Sequence, residues 1–468
     1  MLAVLIVTFV VGYAFIALEH PLKINKTATA LLLGVLLWTM FSLSQGAFGT
    51  LANGGDWHDF LSSSLVHHLG STAEIVFFLL GAMTIVTLVD EYQGFRLITD
   101  HIKTNNKKKL LWTLSVITFV LSAVLDNMTT AIVMCALLRK LVADKQERWL
   151  FAGMVILAAN AGGAWSPIGD VTTIMLWIGG QVTTVNIMVK TLLASLACLV
   201  VPLLILSRHL EGDVVRPEAS CEGVEMPVRW RTLIFCLGIG LLVFVPVFKT
   251  ITHLPPYLGM LFGVSVLWVV TEVISRKYSK DDFRLPTAMG TLSNIDTPSI
   301  LFFLGILMAV ACLETCGALG MLSSGLNKTF LNISVGDEMV GFFIIDLIIG
   351  VLSSVIDNVP LVAASMGMYP LTGEEVLFAT NHPFWEFLAY CAGTGGSLLI
   401  IGSAAGVAVM GMEKIDFIWY LKKISWLALL GYIAGAVVFV LMDITLFEKV
   451  AWLRDLASLP QTLIPMLV

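Results

Sequence analysis

The chain has 468 residues, 57% of them hydrophobic and only 13% charged, with a formal net charge of −6. That charged fraction is about half of what soluble domains carry. With a mean hydropathy of +0.91 and many apolar runs near twenty residues, the composition excludes a soluble globular protein and points to a polytopic membrane protein.

In chain order, residues 2–18 lack a basic leading region and a small-residue cleavage site, so they read as a first span rather than a signal peptide. Further apolar runs fall at about 27–46, 71–89, 110–141, 149–181, 186–207, 231–249, 256–275, 298–315, 338–369, 384–411 and 424–442. Two of them, 110–141 and 338–369, are too long for one ordinary span. Drawn as re-entrant hairpins, they place 22 of the 27 Lys and Arg residues on one side, with Lys190, Lys249, Lys328, Lys449 and Arg454 on the other. Drawn as crossings, they oppose the two basic flanks of 110–141 and invert the later loops. The basic-side rule therefore favours the hairpins.

The expected fold is all-α and polytopic: two inverted repeats, each of five transmembrane helices plus a re-entrant hairpin, with broken helices at the midplane. The first repeat covers 1–207 (hairpin 110–141, broken helix 149–181). A cytoplasmic linker covers 208–230. The second repeat covers 231–442 (hairpin 338–369, broken helix 384–411), and an interfacial tail covers 443–468. Both termini are placed outside. Seven cysteines at irregular spacing form no disulfide framework, and Cys312 with Cys316 reads as a pair of small buried residues rather than a metal pair.

The halves echo each other. Leu121-Ser122-Ala123-Val124-Leu125-Asp126-Asn127 returns as Leu352-Ser353-Ser354-Val355-Ile356-Asp357-Asn358, an offset of 357 − 126 = 231. Gly162-Gly163 through Ile168-Gly169 returns as Gly395-Gly396 through Ile401-Gly402, an offset of 402 − 169 = 233. An acid at bilayer depth costs roughly 2.5–3.5 kcal/mol on insertion scales, which makes each Asp-Asn a functional hypothesis. Glycines and Pro167 in 149–181, and glycines in 384–411, interrupt their helices, and irregular backbone at that depth survives only in protein or beside a wet cavity. Interrupted segments at matching positions of two halves point to a transporter's binding site.

Asn127, Thr129, Asn160, Thr172, Thr173, Ser353, Asn358, Thr394 and Ser397 offer neutral oxygens or amides, and Asp126, Asp170 and Asp357 offer charge. Hard oxygen ligands with carboxylates suit Na⁺ or Li⁺, and the same carboxylates bind H⁺, so one site can hold either. Simpler roles stand beside this one. Asp126, Asp357 and Asp170 can each cap the helix that follows, and Thr172 and Thr173 can bond back within theirs. Glu74 either relays protons or sits at the interface. His67 and His68 either sense pH or are merely solvated. Asp346 has no acidic counterpart in the first half and reads as a local salt bridge or helix contact. Asp90 and Glu314, offset by 314 − 90 = 224, read as solvated span ends.

Leu125-Asp126-Asn127-Met128-Thr129-Thr130, the stretch Asn160 through Thr173, and Ile356-Asp357-Asn358-Val359-Pro360 together resemble the NhaD-type sodium/proton antiporters, in the superfamily that also holds arsenite permeases and divalent-anion/sodium symporters. The resemblance covers nearly the whole chain. It implies an elevator-like homodimer in the cell inner membrane that exchanges cytoplasmic Na⁺ or Li⁺ for external H⁺. It also implies that Asp126, Asn127, Asn160, Asp170, Thr172, Thr173, Asp357 and Asn358 are the working positions. An arsenite or anion permease is the alternative on the same fold. The expectation is a transporter and not an enzyme, in contact with the lipid bilayer, without cofactor, resident metal or nucleic-acid partner.

Overall fold

The computed structural model describes residues 1–17, 23–52, 55–99, 102, 104–217, 226–278, 285–331, 333–335, 338–355, 357–372 and 376–447. Ile356 of the second Asp-Asn phrase, positions 218–225 of the linker, and the expected interfacial helix of the tail beyond 447 lie outside them, as do basic residues Lys103, Lys280, Arg284, Lys449 and Arg454.

The first half runs α1 (Leu2–Ala17), α2 (Lys26–Ser42), α3 (Trp57–Glu91), the hairpin arms α4 (Lys107–Ser122) and α5 (Asn127–Leu141), the broken pair α6 (Lys145–Ala164) and α7 (Val171–Ile178), and α8 (Thr184–His209). The second half repeats this order as α9 (Val228–Thr252), α10 (Pro256–Tyr278), α11 (Thr297–Thr315), arms α12 (Gly341–Leu352) and α13 (Asn358–Met368), the broken pair α14 (Pro383–Gly395) and α15 (Ala404–Glu413), and α16 (Ser425–Met442). Outside the helices, the described residues hold one two-residue β-ladder, Ser334–Val335 with Glu338–Met339. Six helices are long and apolar enough to cross a membrane alone. A seventh is α2 taken with the bent segment to Ala52 as one span, and α1, α12, α13 and α15 are shorter apolar helices. Leu32, Val35, Val66, Phe262, Val269 and Val273 lie exposed on this surface, as lipid-facing side chains do.

Helix packing obeys the repeat. The pairs α2–α11 and α3–α10 correspond, as do α4–α6 and α12–α14, and α1–α2 and α9–α10, while α8 packs on its own counterpart α16. The hairpins cross over: α5 packs on α15 and α13 on α7, each against the half-helix of the other repeat. Finer contacts repeat too. Ser122 Oγ donates to Ala159 O at 2.6 Å and Ser353 Oγ to Ala392 O at 2.7 Å. A Cβ at Gly162 would lie 2.3 Å from Phe119 O, and one at Gly395 2.0 Å from Gly350 O, so only glycine lets each first arm lie against its broken helix.

Both long runs are re-entrant. The linker carbonyls and amides of 212–215 bond Asn105 and Lys107 at the start of the first hairpin and Ala143 at its end. The Phe378 ring meets both Phe342 at the start of the second hairpin and Tyr369 at its end. The first hairpin belongs to the face where Glu91, Gln93, Arg231 and Asn294 also gather. The second belongs to the opposite face, where Asn381 bonds Gln181 and Thr183. Opposite entry of equivalent hairpins is the inverted repeat in physical form.

The helices break where their residues stop propagating the ladder. Pro167 has no N–H to donate, so α6 ends and the chain turns before Asp170 restarts it. Asp170 is the N-cap of α7, with Ser403 the matching N-cap of α15.

Candidate functional site

Each hairpin delivers its Asp-Asn as the first residues of a second arm, and each broken helix delivers a capping residue to the same depth. Asp126 caps α5: its Oδ1 accepts from Thr129 N at 2.8 Å, and Oδ2 accepts from the Thr129 hydroxyl. Asp357 caps α13 through Val359 N at 3.4 Å, and its Oδ2 lies 3.8 Å from Lys26 Nζ. Lys26 also stands 4.7 Å from the centre of the Phe302 ring, an arrangement that stabilises a cation.

Asp170 gathers more than a cap needs. Its Oδ1 accepts from Thr172 N at 2.9 Å, Thr172 Oγ1 at 2.7 Å and Asn358 Nδ2 at 3.5 Å, and its Oδ2 accepts from Asn127 Nδ2 at 2.5 Å. All four donors are neutral, and among the described residues no cation pairs with this carboxylate, which is 1% exposed. The acid sets the sense of the chain behind it. A carboxylate can only accept, so Asn127 turns its NH₂ toward it and also donates to Asn160 Oδ1 at 3.1 Å. Asn160 in turn donates to Ser397 Oγ at 2.8 Å and Ser403 Oγ at 3.0 Å. Both hairpins and both broken helices thus share one polar network.

This network borders a cavity of 230 Å³, far above the roughly 10–15 Å³ that one water needs on the same measure. Asp90, Asp126, Asp170, Asp296 and Asp357 line it, with Lys26, Thr129, Asn127, Asn294 and Asn358. Lys26, Asp90, Asn294 and Asp296 belong to helix ends and loops of the basic face, so the cavity runs from that face to the hairpin tips. Its polar lining is oxygen-rich and acidic. No group of three or more His, Cys, Asp or Glu among the described residues is close enough to hold a metal ion. A resident divalent ion wants six or more oxygens, whereas this dispersed set suits a monovalent cation passing through.

Of the sequence-predicted residues, Asp126, Asn127, Thr129, Asp170, Asp357 and Asn358 line the cavity, and Asn160, Thr172 and Ser397 stand directly behind them. Thr173 is fully buried, and its hydroxyl has no partner among the described residues. Ser353 fastens its hairpin arm to α14, and Thr394 bonds back to Tyr390 O at 2.6 Å. Glu74 and His67 do not border the cavity. His67 lines a shallow depression with His68 and Glu314, where His68 Nε2 lies 3.0 Å from Thr315 Oγ1.

The cavity also takes in Lys26, Asp296 and Asp90, the last expected as a solvated span end, and the network behind it takes in Ser403. Ser403 was within reach, since 403 − 170 = 233 is the repeat offset. Asp90 and Glu314, equivalent by position, end up in wet recesses of opposite faces, as inversion requires. Of the salt bridge or helix contact expected for Asp346, no salt bridge is present among the described residues: it is fully buried in the helix packing, and neither carboxylate oxygen has a hydrogen-bond partner there.

A family model described as citrate transporter, CitMHS, matches residues 13–393. Sodium/proton antiporter 1 of Arabidopsis thaliana is 46% identical over 443 residues, 94% of this chain and 72% of the relative. Na(+)/H(+) antiporter NhaD of Vibrio cholerae is 30% identical over 461 residues, 93% of this chain and 90% of the relative. The crystal structure of the Alcanivorax borkumensis YdaH transporter superposes with a TM-score of 0.59 at 13% identity, over 90% of this chain and 99% of that one. At that identity the likeness speaks for the fold alone.

Proposed function

This chain belongs to the CitMHS family and to the NhaD-type sodium/proton antiporters, and from that premise we propose that it exchanges Na⁺ for H⁺ by alternating access at the Asp126–Asp170–Asp357 cavity. One observation carries the reading: Asp170, buried and met only by neutral donors, stands at the inner end of an acidic cavity open to one face. A buried carboxylate without a counter-cation is neutralised by a proton or by a bound cation. Either occupant discharges the site, so each displaces the other, which is the coupling an antiporter requires. Asp126 and Asp357 supply the second and third charges, Asn127 and Asn358 orient Asp170, and Thr129 and Thr172 hold Asp126 and Asp170 in place.

Li⁺, a smaller hard cation, fits the same oxygens. The basic face is cytoplasmic by the distribution of Lys and Arg, which puts both termini outside and makes this conformation inward-open. A homodimer in the cell inner membrane, organised as the repeats 1–207 and 231–442 around the linker 208–230, is part of the same proposal. Five aspartates against one lysine repel citrate or another anion.

The test is an acid-gradient dequenching assay on reconstituted vesicles, challenged with NaCl, LiCl, KCl, arsenite and citrate across pH. Na⁺ and Li⁺ are expected to collapse the gradient, and arsenite and citrate to leave it intact. The absence of Na⁺-dependent dequenching at every pH overturns the reading.

A further inference from the structure

A second set of buried charges lies outside the cavity. Phe343 and Asp346 are three residues apart on α12 and share a face, and Phe343 packs on Phe387 of α14 and Phe439 of α16. Asp346 is therefore directed to the seam between α12, α14 and α16, where Glu386 acts on it electrostatically. Glu386 is fully buried in the first turn of α14. Its Oε1 accepts from Asn186 Nδ2, and its Oε2 has no hydrogen-bond partner among the described residues. Lys190 Nζ stands 4.0 Å from Glu386 Oε2 and 3.7 Å from Asp443 Oδ1.

The groups facing this cluster from neighbouring elements are Tyr369, His382, Cys391 and Tyr432. Lys190 stands against Glu386 and Asp443, whereas Asp346 faces Glu386 and has no hydrogen-bond partner among the described residues. Two carboxylates so placed do not both ionise in a buried site, and an unpaired buried carboxylate costs several kcal/mol that a proton removes. The Lys190 ammonium stands in the cationic position, and among the described residues no group of three or more His, Cys, Asp or Glu is placed to hold a metal ion.

We propose that Asp346 and Glu386, beside Lys190, form a second proton-binding site, opening to the face opposite the vestibule and feeding the exchange. Asn186, Glu386 and Asp443 sit at helix ends of that face, so a proton enters from its water to Glu386 and passes to Asp346. From there the hairpin tip at Ser353 is seven residues away, about 10 Å along α12. The proposal rests on the sodium/proton reading above, and its test separates the two.

Asp346→Asn reproduces the shape and neutrality of the protonated acid and cannot exchange its proton. In the purified protein in lipid, difference infrared spectroscopy at neutral pH should show a protonated-carboxyl band that this variant loses. The variant should keep its Na⁺-dependent thermal stabilisation while Na⁺-driven proton movement falls about 10²-fold, the lower range of what a positioned proton-transfer group supplies. Glu386→Gln should lower proton movement likewise, and Asp346→Glu should recover part of it. A purely packing role predicts full exchange in Asp346→Asn. Full exchange, or a native protein without that band, overturns the proposal. Loss of Na⁺ stabilisation in the native chain instead overturns the parent reading.

Discussion

Asp170→Asn separates what the acid does for the fold from what it does for the ion. The new side chain keeps an oxygen for Thr172 N and Oγ1, now at 2.9 and 2.7 Å, but can bring an NH₂ against Asn127 Nδ2, now 2.5 Å from Oδ2. Turning Asn127 over removes that clash and sets its carbonyl against Asn160 Oδ1. Turning Asn160 as well sets its carbonyl toward Ser397 and Ser403, whose hydroxyls can donate. The whole chain can thus reverse its sense, and the fold loses the charged character of the four hydrogen bonds to Asp170, about 1 kcal/mol each at most, against which stands the desolvation cost of the buried charge that the amide also removes. The ion loses a full charge. At 4 Å and an effective dielectric of about 20 that is about 4 kcal/mol, or roughly a thousandfold in affinity. The variant should therefore purify and melt close to the native protein yet show almost no Na⁺-dependent stabilisation or dequenching. Adding Ser397→Ala and Ser403→Ala should block the reversal and make Asp170→Asn markedly less stable, though each serine change is mild alone. An Asp170→Asn protein whose Na⁺ half-saturation stays close to native would refute the reasoning.

Glu413, at the end of α15, accepts from Arg139 and Arg148 at 2.7 Å each and is buried. Glu413→Gln should cost about 3 kcal/mol, the lower range for breaking a buried pair because Arg139 is half-exposed, and thermal unfolding should register it. Gly162→Ala and Gly395→Ala each drive a methyl into a backbone carbonyl. Each should cost about 1–3 kcal/mol, with similar losses of thermal stability in the two variants, because the contacts are equivalent. Lys26→Met removes an ammonium that competes for Asp357, and should raise apparent Na⁺ affinity by up to about fivefold, given at most about 1 kcal/mol for a part-exposed pair; Na⁺ titration of dequenching reads it.

The architecture was legible because it is written in redundancy. The doubled Asp-Asn, the doubled glycine breaks and the one-sided Lys and Arg residues each point to inverted halves with hairpins, and the helix pairing obeys that symmetry. The heart of the polar network was legible for the same reason, since Asn127, Asn160, Asp170 and Asn358 stand on the repeated phrases. What escaped was whatever the repeat does not duplicate. Nothing in the sequence singles out Lys26 or Asp296, and only folding brings them to Asp357 and the cavity. Thr394 read as a ligand because glycine spacing locates a break but not which side chains turn toward it, and its hydroxyl closes on Tyr390 O. Asp346 reads as local in the sequence because Glu386, the acid that acts on it, comes from another helix.

The exchange of partners between α5 and α15, and between α13 and α7, bears on how the protein is made. Each half contains only part of the surface that covers its own hairpin tip. The first tip leaves the ribosome well before α15 does, an interval of roughly 15–60 s at 5–20 residues per second. During that wait Asn160 has no Ser397 or Ser403 and Asp170 no Asn358 to meet it, so the first half dwells in the bilayer with an unsealed polar centre. Biogenesis then ends in a capture step, in which the late half-helix threads beside the early hairpin. Two separately expressed halves should accordingly be degraded alone and persist together, behaving less as tandem domains than as an obligate dimer that happens to be joined.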